Sequence, residues 1–440
     1  MNRLSDASTS KFRLLCLSNG HGEDIIAVRI LQELQHATNI DIAALPLVGE
    51  GRAYTQLGIP VIGSVQTMPS GGFIYMDGRQ LVRDVQGGLV QLTLSQIKAV
   101  RCWVRRQASG NEEATIILAV GDIVPLLFAW LSGANYAFVG TAKSEYYLRD
   151  EFGSHQRRSL FNSFEGWSGS VYLPWERWLM MSRCKAVFPR DSLTAQTLQK
   201  WPIPAFDLGN PMMDQLDAVT SQMFYGSNNP ERQEQARRLL TIVLLPGSRP
   251  PEAYANWQQI MVAVAALCDT FAEPLLFFGA IAPSLSLEPL SQNLVNANFI
   301  QVSSELQFPD PKALTFEYKN ARLILSQHAY NDCLQLADMA IAMAGTATEQ
   351  FVGLGKPAIT FPGIGPQFTY AFAEAQTRLL GPSLILVEQP SQVADAVQSL
   401  LRDPDRLQLI AENGLRRMGK PGAARRIAAC LLERLSQSCS

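Results

Sequence analysis

The segment ADMAIAMAGTATEQFVGLGKPAITFPG, residues 337–363, holds two short apolar runs separated by a glycine turn and a helical stretch. An apolar run ending near Gly345, a stretch with helical periodicity and a second apolar run after Pro357 together predict a strand, a helix and another strand. The turn before the helix also contains Thr346 and Thr348. Such a turn either serves packing alone or holds a phosphate, because the free backbone N–H groups at a helix start attract anions.

The same alternation of strand-like and helical stretches recurs along the chain. Runs such as KFRLLCLSNG (residues 11–20) and LTIVLLPG (residues 240–247) each precede a helical stretch. Strands that alternate with helices form a parallel sheet covered on both faces. We therefore predict the α/β class, with two Rossmann-like, doubly wound domains facing each other across a cleft. The predicted bounds are a tail at 1–10, an N-terminal domain at 11–218, a linker at 219–238, a C-terminal domain at 239–415, and a helix at 416–440 that packs back on the N-terminal domain.

Composition limits the classes of function. The 440 residues are 47% hydrophobic and 17% charged, with a formal net charge of −2. This length predicts two domains, and this charge provides no field that would attract nucleic acid. The seven cysteines are scattered and lack the spacing of a zinc site, so we expect reduced thiols and no metal. No apolar signal-peptide core is present near the N-terminus, and we expect a cytoplasmic protein.

One run, residues 114–140, is long and apolar enough to raise the alternative of a membrane span. Asp122 and Pro125 interrupt it, and Gly133 and Asn135 break its second part. A buried strand, a loop, a buried helix and a second strand therefore explain the run better than a membrane helix does.

The loop after the first predicted strand, SNGHGEDIIA (residues 18–27), is a candidate active-site loop. Gly20 and Gly22 allow a ligand to approach the backbone, and loops at the carboxyl ends of parallel strands carry ligand sites. The loop does not follow the dinucleotide or P-loop fingerprints. Its titratable side chains are the candidate catalytic groups His21, Glu23 and Asp24. In the alternative, the histidine is structural and the two acids only stabilise the helix start.

Asp122 is the other candidate catalytic acid, because it follows Gly121 at the end of the strand TIILAV. An acid at this position can accept a proton from an acceptor hydroxyl, and burial nearby would raise its basicity. In the alternative, Asp122 is only the N-cap of the apolar helix that follows.

Two further loops offer groups that suit a diphosphate. In LLPGSRPPE (residues 244–252) these are backbone N–H groups, a hydroxyl and a guanidinium, and arginine can bind phosphate oxygens through two parallel hydrogen bonds. The alternative is a surface turn with its arginine in solvent. The helix start after Gly345 supplies free N–H groups, and FPGIGPQ (residues 361–367) supplies another loop. The predicted donor-binding residues are Gly247, Ser248, Arg249, Gly345, Thr346, Ala347, Thr348, Gln367 and, on a ribose, Gln350.

Four motifs together resemble the lipid-A-disaccharide synthases: LLPGSRPPE, AGTATEQFVGLGKP, LGNPMMD and the Gly-Asp strand end. These enzymes are GT-B glycosyltransferases, and the peptidoglycan N-acetylglucosaminyl transferase is a more distant relative. The resemblance follows the motif order from about residue 12 to 432. It implies a GT-B fold and a metal-independent, inverting transfer of a sugar from a UDP-sugar to a lipid-linked sugar hydroxyl, without a cofactor. It also implies an N-terminal acceptor domain and a C-terminal UDP-sugar domain.

By position, the resemblance adds Glu252 to the donor site, since it follows the GSR motif that contains Ser248 and Arg249. It matches Asp122 to the first acid of the family's GIDAPD segment and Asp24 to the acid of its GEASGD loop. The chain departs from the family at Gln350, where the family has glutamate, and it lacks the second acid after Asp122. The donor side thus resembles the family more closely than the acceptor side.

The acceptor side differs most over SLFNSFEGWSGSVYLPWERWLMM (residues 159–181), where aromatic side chains stand near arginines. Such a composition fits a lipid-headgroup surface or an acyl groove, and core packing is the alternative. The predicted acceptor-binding residues are Gly20, Gly22, Trp167, Trp175 and Trp178. With a lipid-type acceptor, we expect peripheral contact with the inner face of the membrane.

The sequence therefore predicts a glycosyltransferase that moves a sugar from UDP to a lipid or lipid-linked acceptor. Two alternatives remain. One is a UDP-sugar epimerase or hydrolase on the same scaffold, and the other is a nucleotide-sugar binding protein without catalytic activity.

Overall fold

Continuous apolar runs form the strands of two separate sheets. The computed structural model describes residues 12–65, 89–105, 114–151, 153–154, 168–217, 239–303 and 308–437. Residues up to Asp214, together with those from Gly419 onward, form the first unit, and Gln215–Met418 forms the second. The predicted tail at 1–10 and the predicted linker at 219–238 lie outside the described residues.

The first unit is built on a five-stranded sheet with the order β2-β1-β3-β4-β7, in which all neighbouring strands are parallel. The strands of this unit, including the two-stranded ribbon of β5 and β6, are β1 (Phe12–Ser18), β2 (Ile40–Pro46), β3 (Ala114–Gly121), β4 (Asn135–Gly140), β5 (Arg149–Asp150), β6 (Gly153–Ser154) and β7 (Cys184–Pro189). Its first six helices are α1 (His21–Ala37), α2 (Arg52–Gln56), α3 (Leu89–Arg105), α4 (Ile123–Ser132), α5 (Pro174–Met181) and α6 (Ser192–Leu198). The strand β1 is apolar throughout its centre, since residues 14–17 are all fully buried, as expected of a parallel strand covered on both faces.

The long apolar run at residues 114–140 folds as the predicted strand, loop, helix and strand. It forms β3, the turn at Asp122, α4 and β4, and these strands are neighbours in the sheet. Among the helices of the described residues, none combines the length and the apolar character needed to cross a membrane. The prediction against a membrane span at this run is thus confirmed.

The second unit is built on an eight-stranded sheet with the order β10-β11-β12-β9-β8-β13-β14-β15. Its strands are β8 (Leu240–Leu245), β9 (Leu275–Ala280), β10 (Ile300–Val302), β11 (Leu314–Tyr318), β12 (Ala321–Ser326), β13 (Met339–Ala342), β14 (Ala358–Thr360) and β15 (Leu384–Leu386). Its helices are α7 (Glu252–Thr270), α8 (Glu288–Asn296), α9 (Tyr330–Leu336), α10 (Thr346–Gly353), α11 (Tyr370–Leu380), α12 (Val393–Leu401) and α13 (Pro404–Met418). The core contains Trp257 and Phe277, both fully buried.

One edge of the second sheet is antiparallel, and the prediction of a purely parallel sheet is wrong there. The strands β10, β11 and β12 pair in antiparallel fashion. Only Lys319 and Asn320 separate β11 from β12, and Lys319 has a φ of +52°. The Asn320 amide donates to the carbonyls of Phe271 and Glu273, each at 2.7 Å. A two-residue connection of this kind closes a hairpin, whereas a parallel pair needs a long crossover.

The chain returns to the first unit at its end, where α14 (Ala423–Gln437) packs against α1. The Asp214 carboxylate accepts hydrogen bonds from the backbone N–H groups of Gly422, Ala423 and Ala424 at 2.6, 3.0 and 2.7 Å. A carboxylate at a helix N-terminus satisfies unpaired donors and complements the helix dipole. The motif LGNPMMD, which ends in Asp214, thus fixes the start of α14.

Candidate functional site

In the second unit, the loops that follow β8 and β13 lie side by side at the carboxyl edge of the sheet. The Met343 N–H donates to the Leu245 carbonyl at 2.8 Å. The Asn256 amide donates to the carbonyls of Pro246 at 3.0 Å and of Met343 at 3.5 Å. Gly247 has a φ of +97°, and a Cβ there would lie 3.3 Å from the Met343 carbonyl oxygen. Glycine is therefore required where the two loops meet.

The helix α10 begins directly after the second of these loops. Gly345 is its N-cap, and no side chain of the described residues caps the helix start. Thr346 is exposed, Ala347 is half-buried and Thr348 is buried. The Thr348 hydroxyl donates to the Ala344 carbonyl at 2.6 Å, so it holds the turn in shape. What the first turn offers a ligand is its backbone N–H groups, which suit an anion.

A third loop, after β14, is tied to the first through Glu252 and Arg249. The Glu252 Oε1 accepts the backbone N–H groups of Gln367 at 3.0 Å and Phe368 at 2.7 Å. A Cβ at Gly365 would lie 2.4 Å from this carboxylate. The exposed Arg249 donates from Nη1 to the Gln367 Oε1 at 3.3 Å. Glu252 thus anchors a loop, and the exposed Arg249 and the half-buried Gln367 form a polar pair beside it.

Ser248 and Gln350 complete the predicted donor set. Ser248 is exposed, and its carbonyl accepts the Ser284 hydroxyl at 3.2 Å. Gln350 is buried, and its Oε1 accepts the Tyr330 hydroxyl at 2.7 Å. The structure therefore brings Ser248 to the exposed face of its loop and places Gln350 against the start of α9.

Sequence reasoning missed several side chains that shape this edge. Asn256 and Tyr330 are described above, and the buried Gln376 donates from Nε2 to the Ala344 carbonyl at 3.2 Å. Tyr330 follows the end of β12, so the rule used for the other strand ends would have found it. Asn256 and Gln376 could have been found in the sequence because each is a polar residue on an otherwise apolar helix face.

In the first unit, Asp24 lies behind the loop that follows β1. The Ser18 hydroxyl donates to the Asp24 Oδ1 at 2.5 Å, and Asp24 is 3% exposed. The pKa of Asp24 is raised to about 7, because the effects of burial and of the neighbouring Glu23 charge, which raise it, outweigh the Ser18 hydrogen bond, which lowers it. Desolvation favours the neutral carboxyl, whereas a donor to the carboxylate favours the ionised form.

Asp122 serves both as a helix cap and as a buried acid. Its Oδ1 accepts the Val124 N–H at 2.8 Å at the start of α4. Burial raises the pKa of Asp122 to about 6, against the lowering effects of the Val124 N–H, the Asn19 amide and the Lys143 charge. The N-cap interpretation and the raised basicity predicted from burial are therefore compatible.

Glu23 lies in the same acidic cluster at the carboxyl edge of the first sheet. Its charge raises the pKa of both Asp24 and Asp122, and its Oε1 accepts the Thr141 hydroxyl at 3.3 Å. The buried Arg190 donates to the Thr141 carbonyl at 2.9 Å. Sequence reasoning missed Arg190, together with Asn19 and Lys143, because no local pattern marked them.

The glycines of this loop leave room beside the acids. Gly20 is the N-cap of α1, which begins at His21. Gly22 is exposed, and among the described residues no atom lies within 4 Å of the place where a Cβ would stand. The loop thus brings Gly20 and Gly22 together with Glu23 and Asp24 at one end of α1.

The predicted aromatic acceptor residues lie on a different part of the first unit. Trp175 and Trp178 on α5 are 49% and 52% exposed, so neither is a core side chain. The Trp178 ring lies 5.4 Å from the Trp130 ring, centroid to centroid. Trp130 is eight residues beyond Asp122 along α4, about 12 Å at 1.5 Å per residue. Trp178 is therefore beside the far part of α4, and Trp167 lies outside the described residues.

Nearly all of the chain aligns with solved structures of one fold. MnaA of S. aureus, solved with UDP, aligns with a TM-score of 0.56 at 12% identity over 97% of each chain. MurG of Acinetobacter baumannii aligns with a TM-score of 0.54 at 13% identity over 96% of this chain and 99% of that chain. The UDP-GlcNAc 2-epimerase of Neisseria meningitidis, bound to UDP-GlcNAc, aligns with a TM-score of 0.51 at 14% identity over 96% of this chain and 100% of that chain. This chain has the GT-B fold.

The GT-B assignment confirms the predicted fold class, two Rossmann-like units of the α/β class. At these identities the likeness concerns the fold alone. No family model and no curated protein matches the chain. The resemblance to the lipid-A-disaccharide synthases therefore stays a prediction from the motifs.

Proposed function

We propose that this GT-B protein is an enzyme that binds a UDP-sugar at the carboxyl edge of its second unit. The observation that carries the proposal is the meeting of three loops there. Gly247 lies beside the Met343 carbonyl, and Arg249 reaches across to Gln367. The uncapped start of α10 at Gly345 follows directly from the second loop.

These groups have the chemistry of a diphosphate site. Backbone N–H groups at a helix start and an arginine both bind phosphate oxygens. The same groups would stabilise the negative charge that develops when the diphosphate leaves the sugar. In this proposal no metal ion is needed. The UDP bound to the S. aureus protein and the UDP-GlcNAc bound to the N. meningitidis protein support a nucleotide-sugar ligand.

The reaction that we propose first is inverting transfer of the sugar to a hydroxyl of a lipid or lipid-linked acceptor. An acid of the first unit, Asp122, Asp24 or Glu23, accepts the hydroxyl proton while the oxygen attacks the anomeric carbon. The motif resemblance and the similarity to MurG support transfer. The exposed indoles of Trp175 and Trp178 suit an amphiphilic acceptor and contact with a membrane surface.

Epimerisation or hydrolysis of the UDP-sugar is the second candidate. Three acids concentrate at one edge of the first sheet, and two of them, Asp24 and Asp122, have raised pKa values. Paired acids and bases of this kind also suit proton transfer on the sugar itself, which needs no acceptor. The epimerase of N. meningitidis shares the fold.

Binding is tested by calorimetry with UDP. Arg249→Ala is expected to weaken UDP binding about 10- to 100-fold, since hydrogen bonds to charged groups are worth about 1.5–3 kcal/mol. Arg402→Ala, at an exposed arginine beyond the end of α12, is the control and should bind UDP like the wild type. Equal affinity of the wild type and Arg249→Ala would remove the proposed phosphate site.

The reaction is tested by NMR on UDP-sugars, with and without a bacterial lipid extract. UDP release that requires the extract supports transfer. A changed sugar configuration, or UDP release in water alone, supports the epimerase or hydrolase candidate. Binding of UDP-sugars without any product in either condition would contradict an enzymatic function and leave a binding protein.

A further inference from the structure

A chain of buried polar side chains runs from Asp24 into the core of the first unit. The Ser18 hydroxyl donates to the Asp24 Oδ1 at 2.5 Å. The Tyr54 hydroxyl lies 2.6 Å from the Ser18 hydroxyl, and the Cys16 Sγ lies 3.8 Å from the Tyr54 hydroxyl. Cys16, Ser18 and Tyr54 are all fully buried. We call this set of four side chains the Asp24 chain.

The Asp24 chain can be hydrogen-bonded in two directions. With Asp24 ionised, Cys16 donates to Tyr54, Tyr54 donates to Ser18, and Ser18 donates to the carboxylate. With Asp24 protonated, every hydrogen bond can reverse, because hydroxyl and thiol groups both donate and accept. In the ionised state every donor of the chain has an acceptor, and in the reversed state only the Cys16 S–H loses its acceptor in the chain. Since a thiol is a weak donor, the reversal avoids most of the usual cost of an unpaired buried group.

Asp122 has partners of a different kind. The Val124 N–H donates to its Oδ1, and the Asn19 amide also hydrogen-bonds its carboxylate. A backbone N–H can only donate, so this partner stabilises the ionised carboxylate more than the protonated carboxyl. The partners of Asp24 thus suit both its ionised and its protonated form, whereas the partners of Asp122 favour the ionised form.

We propose that Asp24 is the carboxyl that takes up and releases the proton during turnover, that Asp122 stays ionised, and that Ser18 and Tyr54 are positioning residues for Asp24. The inference rests on the proposed function, since it assigns the general base of sugar transfer. In the step, the acceptor O–H bond breaks and its proton moves to Asp24. The acceptor oxygen bonds to the anomeric carbon, the bond from that carbon to the diphosphate breaks, and UDP leaves with the electron pair. Asp24 then releases the proton to water.

The charges around Asp24 are consistent with this role. Burial and the Glu23 charge on α1 raise the pKa of Asp24 to about 7, a value suited to a base at neutral pH. Burial also raises the pKa of Cys16 on β1 to about 12, and the pKa of Tyr54 on α2 lies well above its ordinary value. Both groups are neutral near pH 7, so the Asp24 chain adds no second charge beside the carboxyl.

The first experiment is the pH–rate profile of UDP-sugar turnover in the full chain. Ser18→Ala removes the donor to the carboxylate and should move the acid limb about one pH unit upward, since a hydrogen bond to a charged group is lost. Tyr54→Phe should move the limb in the same direction by less. Thr55→Ala is the control, because this exposed hydroxyl on the same helix donates to the Arg52 carbonyl, outside the Asp24 chain. Unshifted limbs in both Ser18→Ala and Tyr54→Phe would overturn the positioning role.

The second experiment does not depend on turnover. The folded pKa of Asp24 lies above its unfolded value, so its contribution to stability is full below pH 4 and is lost as the pH rises to about 7. In the wild type, the melting temperature should therefore fall as the pH rises from 4 to 8, and Asp24→Asn should remove the part of this fall that is due to Asp24. An unchanged pH dependence in Asp24→Asn would overturn the proposed titration of Asp24. A changed dependence without any UDP-sugar turnover would instead overturn the proposed function and the assignment of the base.

Discussion

Glu252→Ala is expected to release the loop that follows β14 in the second unit. Glu252 is 8% exposed, and its carboxylate accepts the N–H groups of Gln367 and Phe368 at 3.0 and 2.7 Å. Alanine removes both acceptor bonds at once. It also opens an empty space beside Gly365, since a Cβ there would lie 2.4 Å from the carboxylate. The loop therefore loses both of its hydrogen bonds to the Glu252 carboxylate at the start of α7.

The magnitude follows from the charge on the acceptor. Each hydrogen bond to a carboxylate contributes about 1.5–3 kcal/mol, so the two together hold the loop by about 3–6 kcal/mol. If the loop opens locally, this loss corresponds to amide exchange about 100- to 10,000-fold faster, at about 1.4 kcal/mol per tenfold. Glu252→Gln keeps one oxygen in place and loses only the charge, so its effect should be smaller.

Hydrogen–deuterium exchange of the peptide that covers residues 361–369 is the direct assay. The matched control is Glu288→Ala, because Glu288 is also the first residue of a helix, α8, but is exposed. Calorimetry on the same variants should show weaker UDP binding for Glu252→Ala, since Arg249 contacts Gln367 of this loop. Exchange in Glu252→Ala as slow as in the wild type would refute the anchoring role.

Three further predictions concern stability. Gly121→Ala should destabilise the first unit by about 2 kcal/mol or more, because Gly121 has a φ of +139° and a Cβ there would lie 1.9 Å from the Asn19 Oδ1. The control is Gly153→Ala, because Gly153 has a φ of +141° but no described atom within 4 Å of its Cβ position. Comparing the thermal unfolding of the two variants separates the cost of backbone strain from the cost of the clash. Lys356→Met should lower the free energy of unfolding, measured by urea denaturation, by about 2–4 kcal/mol. The reason is that the Lys356 ammonium group donates to the carbonyls of Leu334, Gln335 and Ala337. The control is Lys312→Met, which changes an exposed lysine and should have little effect on the urea midpoint. Asp122→Asn should have the same free energy of unfolding as the wild type below pH 4, and one up to about 3 kcal/mol higher at pH 7. The reason is that Asp122 has a pKa of about 6 in the folded protein, so its ionisation destabilises the folded state of the wild type as the pH rises. Equal pH dependence of unfolding in both proteins would contradict this last prediction.

The sequence by itself determined the order of strands and helices and the places where ligand loops begin. Parallel strands buried on both faces appear as short apolar runs, so β3 and β4 were predictable on either side of α4. The acids Asp24 and Asp122 follow strand ends, and the glycine turns at Gly247 and Gly345 do so as well. Local periodicity and turn chemistry are properties of neighbouring residues, which the sequence displays directly.

Only the tertiary structure decided which distant side chains share a hydrogen bond. Glu252 holds the amides of Gln367 and Phe368, more than a hundred residues away. Tyr54 reaches Ser18 across 36 positions, and so links α2 to the acid behind β1. These contacts depend on how loops converge at a sheet edge, and no periodic pattern encodes that convergence. The physical reason is that buried polar groups must find partners in space, whatever their separation along the chain.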